Sequence, residues 1–410
     1  MNIATKKNEL VIVLYIIVMF LTTGSVVSIC YGNIVNYVLL GSILLLFVYV
    51  HRSGIVLKVG NNWMFLIGVL MAALEILSDI YFHYSILYSG RFICVLVFSW
   101  IGTQIMTFDK FKKIYIKAMT VISGISLLGY FWGIFTNFYY PLSTIENING
   151  VSYYNGYIFF AMNDYSRGRN IGIFWEPGIF AIFIAIAILF SIFDGHRINK
   201  SNAVVLFVAL VTTYSTTGYA LLLISIIALL CDRKTKNMAI IGFLLVGVGL
   251  VIIVYFGSIE DALMQYFPRV FSKLYNNSNS TIHRVNSIVY NLKIFIQNPL
   301  GHGLTRANVL FSEMTEGSQT STMTLYIAQF GVLGGAFVLL QFISILVYKD
   351  WRMTSRIMFL LVWIIIFNVE IMTFFTAVYT LMFYFMNCMQ RDVRNIKRYQ
   401  DVLKKNSVTL

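Results

Sequence analysis

Long apolar stretches broken by short polar ones run the length of the chain. Runs of about 17 to 25 apolar residues recur, the length a helix needs to cross a hydrocarbon core of roughly 30 Å. The pattern predicts spans near 9–29, 33–50, 62–78, 84–106, 114–136, 173–193, 202–215, 217–231, 238–257, 323–347, 357–369 and 373–387. The pairs 202–215/217–231 and 357–369/373–387 are short, and each reads as a tight hairpin or as one broken element. The expected fold is therefore an all-α polytopic membrane protein, one transmembrane domain over 1–410 with about twelve helices.

Two connections are long, 137–172 and 258–322. Long ordered loops usually carry function, so these two are expected to cover a site. The first holds Tyr139, Tyr140, Tyr153, Tyr154, Tyr157 and Tyr165. Such rings suit either sugar stacking or a belt at the membrane interface. The second carries an amphipathic pattern, with Val285, Ile288, Val289, Leu292, Phe295 and Ile296 at helical spacing and Arg284, Asn291 and Gln297 elsewhere on the wheel. Asn298-Pro299 ends that helix, and Gly301 and Gly303 mark a turn. The helix is expected to lie flat on the outer leaflet or to pack over the bundle.

Composition agrees: 59% of residues are hydrophobic and 11% charged, against roughly 25% charged in soluble domains. Charge sets the expected orientation. Twenty-two of the thirty Lys and Arg residues fall on one side of a twelve-span arrangement, which places both termini in the cytoplasm. The net charge of +13 is mostly this topological signal, not a nucleic-acid footprint, since no soluble domain carries a basic stripe. The first apolar run is too long for a cleavable signal and lacks a small-residue cleavage site. The four cysteines are scattered, without metal-ligand spacing, and no disulfide framework is expected. HExxH, GxxxxGK[ST] and GxGxxG are absent.

Eight basic residues remain outside the cytoplasmic segments, and six of these are Arg91, Arg167, Arg169, Arg269, Arg284 and Arg306. Arginines kept on the far side of a bilayer imply an anion to be handled there. The densest pattern among them is Arg169-Asn170-Ile171-Gly172-Ile173-Phe174-Trp175-Glu176-Pro177-Gly178, just before an apolar span. Pro177 suits a first helical turn, and Glu176 then sits at the positive end of the helix dipole. Arg169 and Glu176 can meet across the mouth of the bundle, as a site or as a plain ion pair anchoring the helix end. Arg91, several residues into the fourth span, serves an anion or pairs with Asp79.

Arg-x-x-Gly-x-Phe-x-Glu-Pro before a span resembles the signature of the Wzy-type O-antigen and capsule polymerases. Thr213-Tyr214-Ser215-Thr216-Thr217-Gly218 sits where that family carries a Ser-Arg turn, here without the Arg. Arg284 followed by Pro299-Leu300-Gly301-His302-Gly303 resembles its Arg…Pro-x-x-Gly-x-Gly loop, and Phe330-Gly331-Val332-Leu333-Gly334-Gly335 its Gly-Ile-Leu-Gly helix start. The resemblance covers residues 165–345. The related ligases tend to have a His-Asn pair where this chain reads Gln319-Thr320-Ser321-Thr322-Met323-Thr324, which leans the reading toward polymerase.

The resemblance implies a glycosyltransferase of the bacterial inner membrane acting on its outer face. Donor and acceptor would both be glycans on undecaprenyl diphosphate, with a chain-length regulator as a possible partner and no cofactor. Guanidinium groups bind phosphate oxygens in a bidentate way, so Arg169, Arg284, Arg306 and Arg91 are the expected diphosphate ligands. Glu176 is the expected base for the acceptor hydroxyl, with His302 or His283 as alternatives. No carboxylate cluster is present to hold a metal, and none is expected. The rival readings are a lipid-linked oligosaccharide flippase, an O-antigen ligase differing only in acceptor, and a non-catalytic scaffold. A cationic cluster at mid-membrane would favour transport.

Overall fold

The computed structural model describes residues 3–57, 62–162, 168–193, 200–232, 279–315 and 317–408. The predicted span 238–257, and with it Tyr165, Arg167 and Arg269, lie outside the described residues. In chain order the elements are α1 (Ile3–Leu21), α2 (Val26–Cys30), α3 (Gly32–Arg52), α4 (Trp63–Tyr81), α5 (Leu87–Ile105) and α6 (Phe108–Phe135). Three short strands follow, β1 (Thr144–Glu146), β2 (Ser152–Asn155) and β3 (Phe160–Met162). Then come α7 (Pro177–Phe193), α8 (Lys200–Thr212), α9 (Thr216–Asp232), α10 (Asn279–Gln297), α11 (Leu304–Met314), α12 (Thr322–Val347), α13 (Met353–Phe367) and α14 (Thr376–Val408). The chain is mostly helical, as expected of a polytopic membrane protein. Among the described residues, α3, α4, α6 and α12 are long and apolar enough to cross a membrane, and α7, α8 and α13 are shorter apolar helices.

Alternate helix ends gather at two poles. Residues from 22–36, 85–91, 147–176 and 371–375 surround one cavity. Residues from 103–110, 348–350 and 384–391 surround another. α7 is apolar on every face, and Ile179 through Ala187 are fully buried, which marks it as a central helix. Around it lies a continuous aromatic core that includes Phe20, Phe174, Phe183 and Phe190. At the second pole Lys112, 1% exposed, is held by Asp109 at 3.0 Å and by the faces of Phe108, Tyr348 and Trp351.

Two elements go beyond the sequence reading. The loop 137–172 is not helical or irregular throughout. It folds into an antiparallel sheet, β1-β2-β3, in which Ile145 faces Tyr153 and Tyr153 faces Met162. Strands of three or four residues are too short to show an alternating pattern in sequence. The amphipathic helix is present as α10, but its predicted apolar stripe points outward. Val285, Val289, Leu292 and Ile296 are exposed, whereas Ser287, Asn291 and Ile294 are fully buried. In a membrane an apolar face has lipid as its solvent, so packing falls to the polar side, where hydrogen bonds join helices.

That polar side has defined partners. Asn291 and Gln319 exchange amide hydrogen bonds, both 3.0 Å, and Asn291 also donates to Thr324 Oγ1 at 3.1 Å. Thr320 N donates to Ser287 Oγ at 2.9 Å. A second tie lies at Gly331, where α12 kinks with φ 57° and ψ −138°. The kink frees backbone carbonyls that an unbroken helix would use internally. His302 N donates to Ala328 O at 3.2 Å, Gly303 N to Gln329 O at 2.8 Å, and Val332 N to Pro299 O at 3.0 Å. The two glycine motifs of the sequence therefore lock into each other. On the other side of this loop the buried Glu75 carboxylate accepts from Leu304 N and seats the N-terminus of α11.

A side chain at residue 331 would meet Pro299 O at 2.1 Å and would also need a positive φ. Gly331→Ala is expected to cost at least about 1–3 kcal/mol, read as a lower melting temperature of the detergent-solubilised protein. Gly335→Ala, whose added methyl meets nothing nearer than 3.9 Å, is the control and is expected to melt like the parent.

Candidate functional site

The segment before α7 is fixed by backbone pairing. Val26 N donates to Ile173 O at 2.9 Å, and Trp175 N to Gly24 O at 3.1 Å. Pro177 then opens α7, so Glu176 stands at the helix start. Its side chain is exposed into a cavity of about 990 Å³. The walls combine Tyr88, Trp175 and Phe374 with the amides of Asn33, Asn36 and Asn147 and the guanidinium of Arg91. Aromatic faces beside side-chain amides suit a polyhydroxylated ligand, since the rings bury apolar sugar faces and the amides meet hydroxyls. Tyr153, between the sheet and the cavity, donates to Trp175 O at 3.3 Å, and burial raises its phenol above the ordinary range, with smaller contributions from Cys30 and Glu176.

Behind Glu176 stands a residue the sequence reading passed over. Glu370 lies in the non-helical connection between α13 and α14. Its carboxyl group is within hydrogen-bond reach of Glu176. Burial, then the charge and the hydrogen bond of Glu176, raise it well above the usual carboxylate range, while Arg284 and the Ile371 N–H act in the opposite direction. The backbone around it is pinned, because Thr322 Oγ1 donates to Glu370 O and accepts from Met372 N at 2.8 Å. Ser321, the N-cap of α12, donates to Asn368 Oδ1 at 2.8 Å. The polar stretch 319–324 thus bonds to α10 on one side and to the Glu370 connection on the other. Arg284 lies one turn before Ser287 on α10, near enough for its charge to act on Glu370.

The other predicted residues fall in different places. Arg169 is half-buried and donates from Nε to Thr213 O at 3.0 Å and from an Nη to Tyr214 O at 2.9 Å. It fastens the turn between α8 and α9. Burial lowers its ordinary value, and the nearby charge of Glu176 opposes that. Arg91 lies on the cavity wall with its guanidinium 4.7 Å above the Phe374 ring. The alternative partner, Asp79, instead accepts from Ser89 Oγ. Arg306, on α11, lies 3.8 Å from Glu313 and 5.8 Å from the centre of the Phe82 ring. The His302 ring has Nε2 3.1 Å from Ile294 O, so that nitrogen carries hydrogen and the ring braces the loop. His283 precedes Arg284 on α10 and is half-buried. Of the loop tyrosines, Tyr140 is buried and donates to Gly129 O at 3.1 Å with its ring beside Tyr154, whereas Tyr139 and Tyr157 are exposed.

Among the described residues no three His, Cys, Asp or Glu side chains group as metal ligands do.

Residues 201–339 match the family model described as O-Antigen ligase. The match supports the O-antigen polymerase/ligase superfamily, whose members are membrane glycosyltransferase-like enzymes. No curated protein matches the chain. The O-antigen ligase match runs from the start of α8 into α12. It includes Arg284, His302, Arg306 and the interlocked glycine motifs. Arg91, Arg169, Glu176 and Glu370 lie outside it, so the candidate site joins residues from within and beyond the O-antigen ligase segment.

Arg169 satisfies two carbonyls with one planar fork, and lysine has no such geometry. Arg169→Lys is expected to lower stability by about 1–3 kcal/mol through the orphaned carbonyls, measured by thermal melting in detergent. A purely ligand-binding Arg169 would leave the melting temperature unchanged.

Proposed function

We propose that the protein is a polysaccharide polymerase working on lipid-linked repeat units. The 990 Å³ cavity would face the outer side of the bacterial inner membrane, with both termini in the cytoplasm. The supporting observation is an aromatic, amide-lined cavity into which Glu176 is exposed, with Arg91 on its wall. The donor is a growing glycan on undecaprenyl diphosphate, and the acceptor is a fresh repeat unit on the same lipid. Glu176 takes the proton of the acceptor hydroxyl as its oxygen attacks the anomeric carbon. The bond to the diphosphate breaks, and that group leaves with the electron pair. Arg284 stabilises the developing charge, and Arg91 holds a phosphate or an acidic sugar deeper in the cavity.

This reading needs no metal, because a fixed guanidinium supplies positive charge where the leaving group gains negative charge. Transport is less well supported. Glu176 and Arg91 line the cavity at one pole of the bundle, whereas a carrier places its site near the bilayer midplane. The family description favours a second reading, ligation of the glycan to a different acceptor. The chemistry at Glu176 and Arg284 would be the same. The polar stretch 319–324 in place of a His-Asn pair supports the polymerase.

Full-length protein in proteoliposomes, given a defined lipid-diphosphate repeat unit and a chelator, is expected to make a ladder of oligomers. A well-placed charged donor is worth roughly 3–4 kcal/mol at a transition state. Arg284→Ala is therefore expected to slow laddering by about 10²–10³-fold while melting near the parent temperature. Transfer only to a lipid lacking a diphosphate repeat unit would establish the ligase, and an unimpaired Arg284→Ala would remove the assignment of that residue.

A further inference from the structure

Arg91 stands on the second turn of α5, half-buried, with its guanidinium carbon 4.7 Å from the centre of the Phe374 ring. Tyr88, three residues earlier and so on the same helix face, packs on that ring too, with centroids 6.2 Å apart. Phe374 thereby steadies the charge from the connection between α13 and α14. Among the described residues no carboxylate reaches the guanidinium within ion-pair distance, and no carbonyl or hydroxyl accepts from it. Asp79 is engaged by Ser89 instead. A ring face offers no lone pair, so the five N–H donors of the planar fork keep their capacity. A charge withdrawn from water without a counter-ion is costly, and this one lines a cavity.

The lining of that cavity indicates which anion fits. Among its described lining residues Arg91 is the one cation and Glu176 the one acid. Tyr88 and Trp175 offer ring faces to a sugar, and Asn33 and Asn36, one turn apart on α3, offer amides. Asn36 Oδ1 is shielded from solvent and has no hydrogen-bond partner among the described residues. It is an acceptor suited to a ligand hydroxyl. A diphosphate would set two or more negative charges near Glu176 against a single guanidinium, and like charges disfavour one another. One carboxylate matches one fork, oxygen for N–H. The rings and amides around it supply the contacts a sugar makes.

We propose that Arg91 and Asn36 form a specificity subsite for an acidic sugar of the hexuronic acid class within the repeat unit. Arg91 grips the sugar carboxylate through two parallel N–H···O bonds, and Asn36 Oδ1 accepts from a sugar hydroxyl. The proposal rests on the reading of the cavity as a glycan site and names the class of repeat unit that the cavity takes. The carboxylate passes through the transfer unchanged, so Arg91 selects the substrate and does not react. A neutral sugar would leave the guanidinium unpaired, and that penalty is the source of discrimination. Lysine would keep the charge and lose the fork.

The test is a binding measurement on the full-length protein in lipid nanodiscs, so it does not depend on turnover. Disaccharides ending in glucuronate, galacturonate or mannuronate are each paired with their carboxyl-reduced counterpart, and saturation-transfer NMR gives the dissociation constants. At least one acid is expected to bind roughly ten- to a hundredfold more tightly than its neutral partner. Arg91→Gln is expected to erase that preference and to leave the neutral disaccharide near its parent affinity. Arg91→Lys is expected to keep a reduced preference, and it serves as the check should Arg91→Gln fail to fold. Asn36→Ala is expected to weaken the acid and its neutral partner alike, and unaltered binding overturns the part given to Asn36. No preference in any pair overturns the subsite, as does a full preference surviving in Arg91→Gln. Farnesyl diphosphate is the rival anion: its loss of binding in Arg91→Gln, with the sugar preference intact, overturns the proposal in favour of the diphosphate. The polymerase reading fails separately, since a protein that shows the preference but makes no ladder loses that reading and keeps the subsite.

Discussion

The kink of α12 at Gly331 is the constraint on which the site depends. A helix that continued smoothly would keep the carbonyls of Ala328 and Gln329 for itself. The break turns them outward, and the backbone of His302 and Gly303 takes them up in bonds of 3.2 and 2.8 Å. Glu75 grips the same loop from α4 through Leu304 N. The cover formed by α10 and α11 is thereby seated on the bundle at a fixed depth and angle. Arg284 rides on that cover, so the seat fixes where its charge acts. Glycine is needed at 331 because any side chain there would occupy the space of Pro299 O, 2.1 Å away.

A second consequence concerns which face of a helix counts as inside. α10 buries Ser287 and Asn291 and exposes Val285, Leu292 and Ile296. In water this orientation would be costly. Against lipid tails the apolar face needs no protein partner, while each amide or hydroxyl in contact with hydrocarbon would be unsatisfied. The polar face therefore selects its own docking site, the row of hydroxyls and amides at 318–324. Arg284 shares that face and is carried inward with it. The same logic explains why residues 319–324 are rich in Gln, Ser and Thr: they join the cover to the connection that bears Glu370.

The sequence was informative where a long period or a local rule governs structure. Apolar runs marked the helices, Pro177 marked the start of α7, and Asn298-Pro299 marked the end of α10. It was least informative where the outcome depends on distant partners. Strands β1 to β3 exist through pairing with one another, not through an internal pattern. His302 is a promising ligand by its exposed-looking position between two glycines, yet its ring meets a carbonyl of α10 only once the loop has folded back. Asp79 was a plausible partner for Arg91, but Ser89, ten residues on, turned out to be nearer to hand. Glu370 was overlooked because it is a lone acid in a gap between two short apolar stretches. That isolation was itself the available signal, since a lone ionisable residue among apolar stretches is costly to bury and therefore suggests a role.

The account's central claim is spatial: the guanidinium of Arg284 on the cover is near enough to act on the carboxyls of the bundle at the edge of a sugar-sized cavity, with a lipid diphosphate as its ligand. A cryo-electron microscopy structure with a non-transferable lipid-diphosphate glycan bound addresses it most directly. The account predicts diphosphate density against Arg284 and a sugar hydroxyl within hydrogen-bond distance of Glu176. Density for the diphosphate elsewhere, with Arg284 turned away from the carboxyl pair, would contradict it.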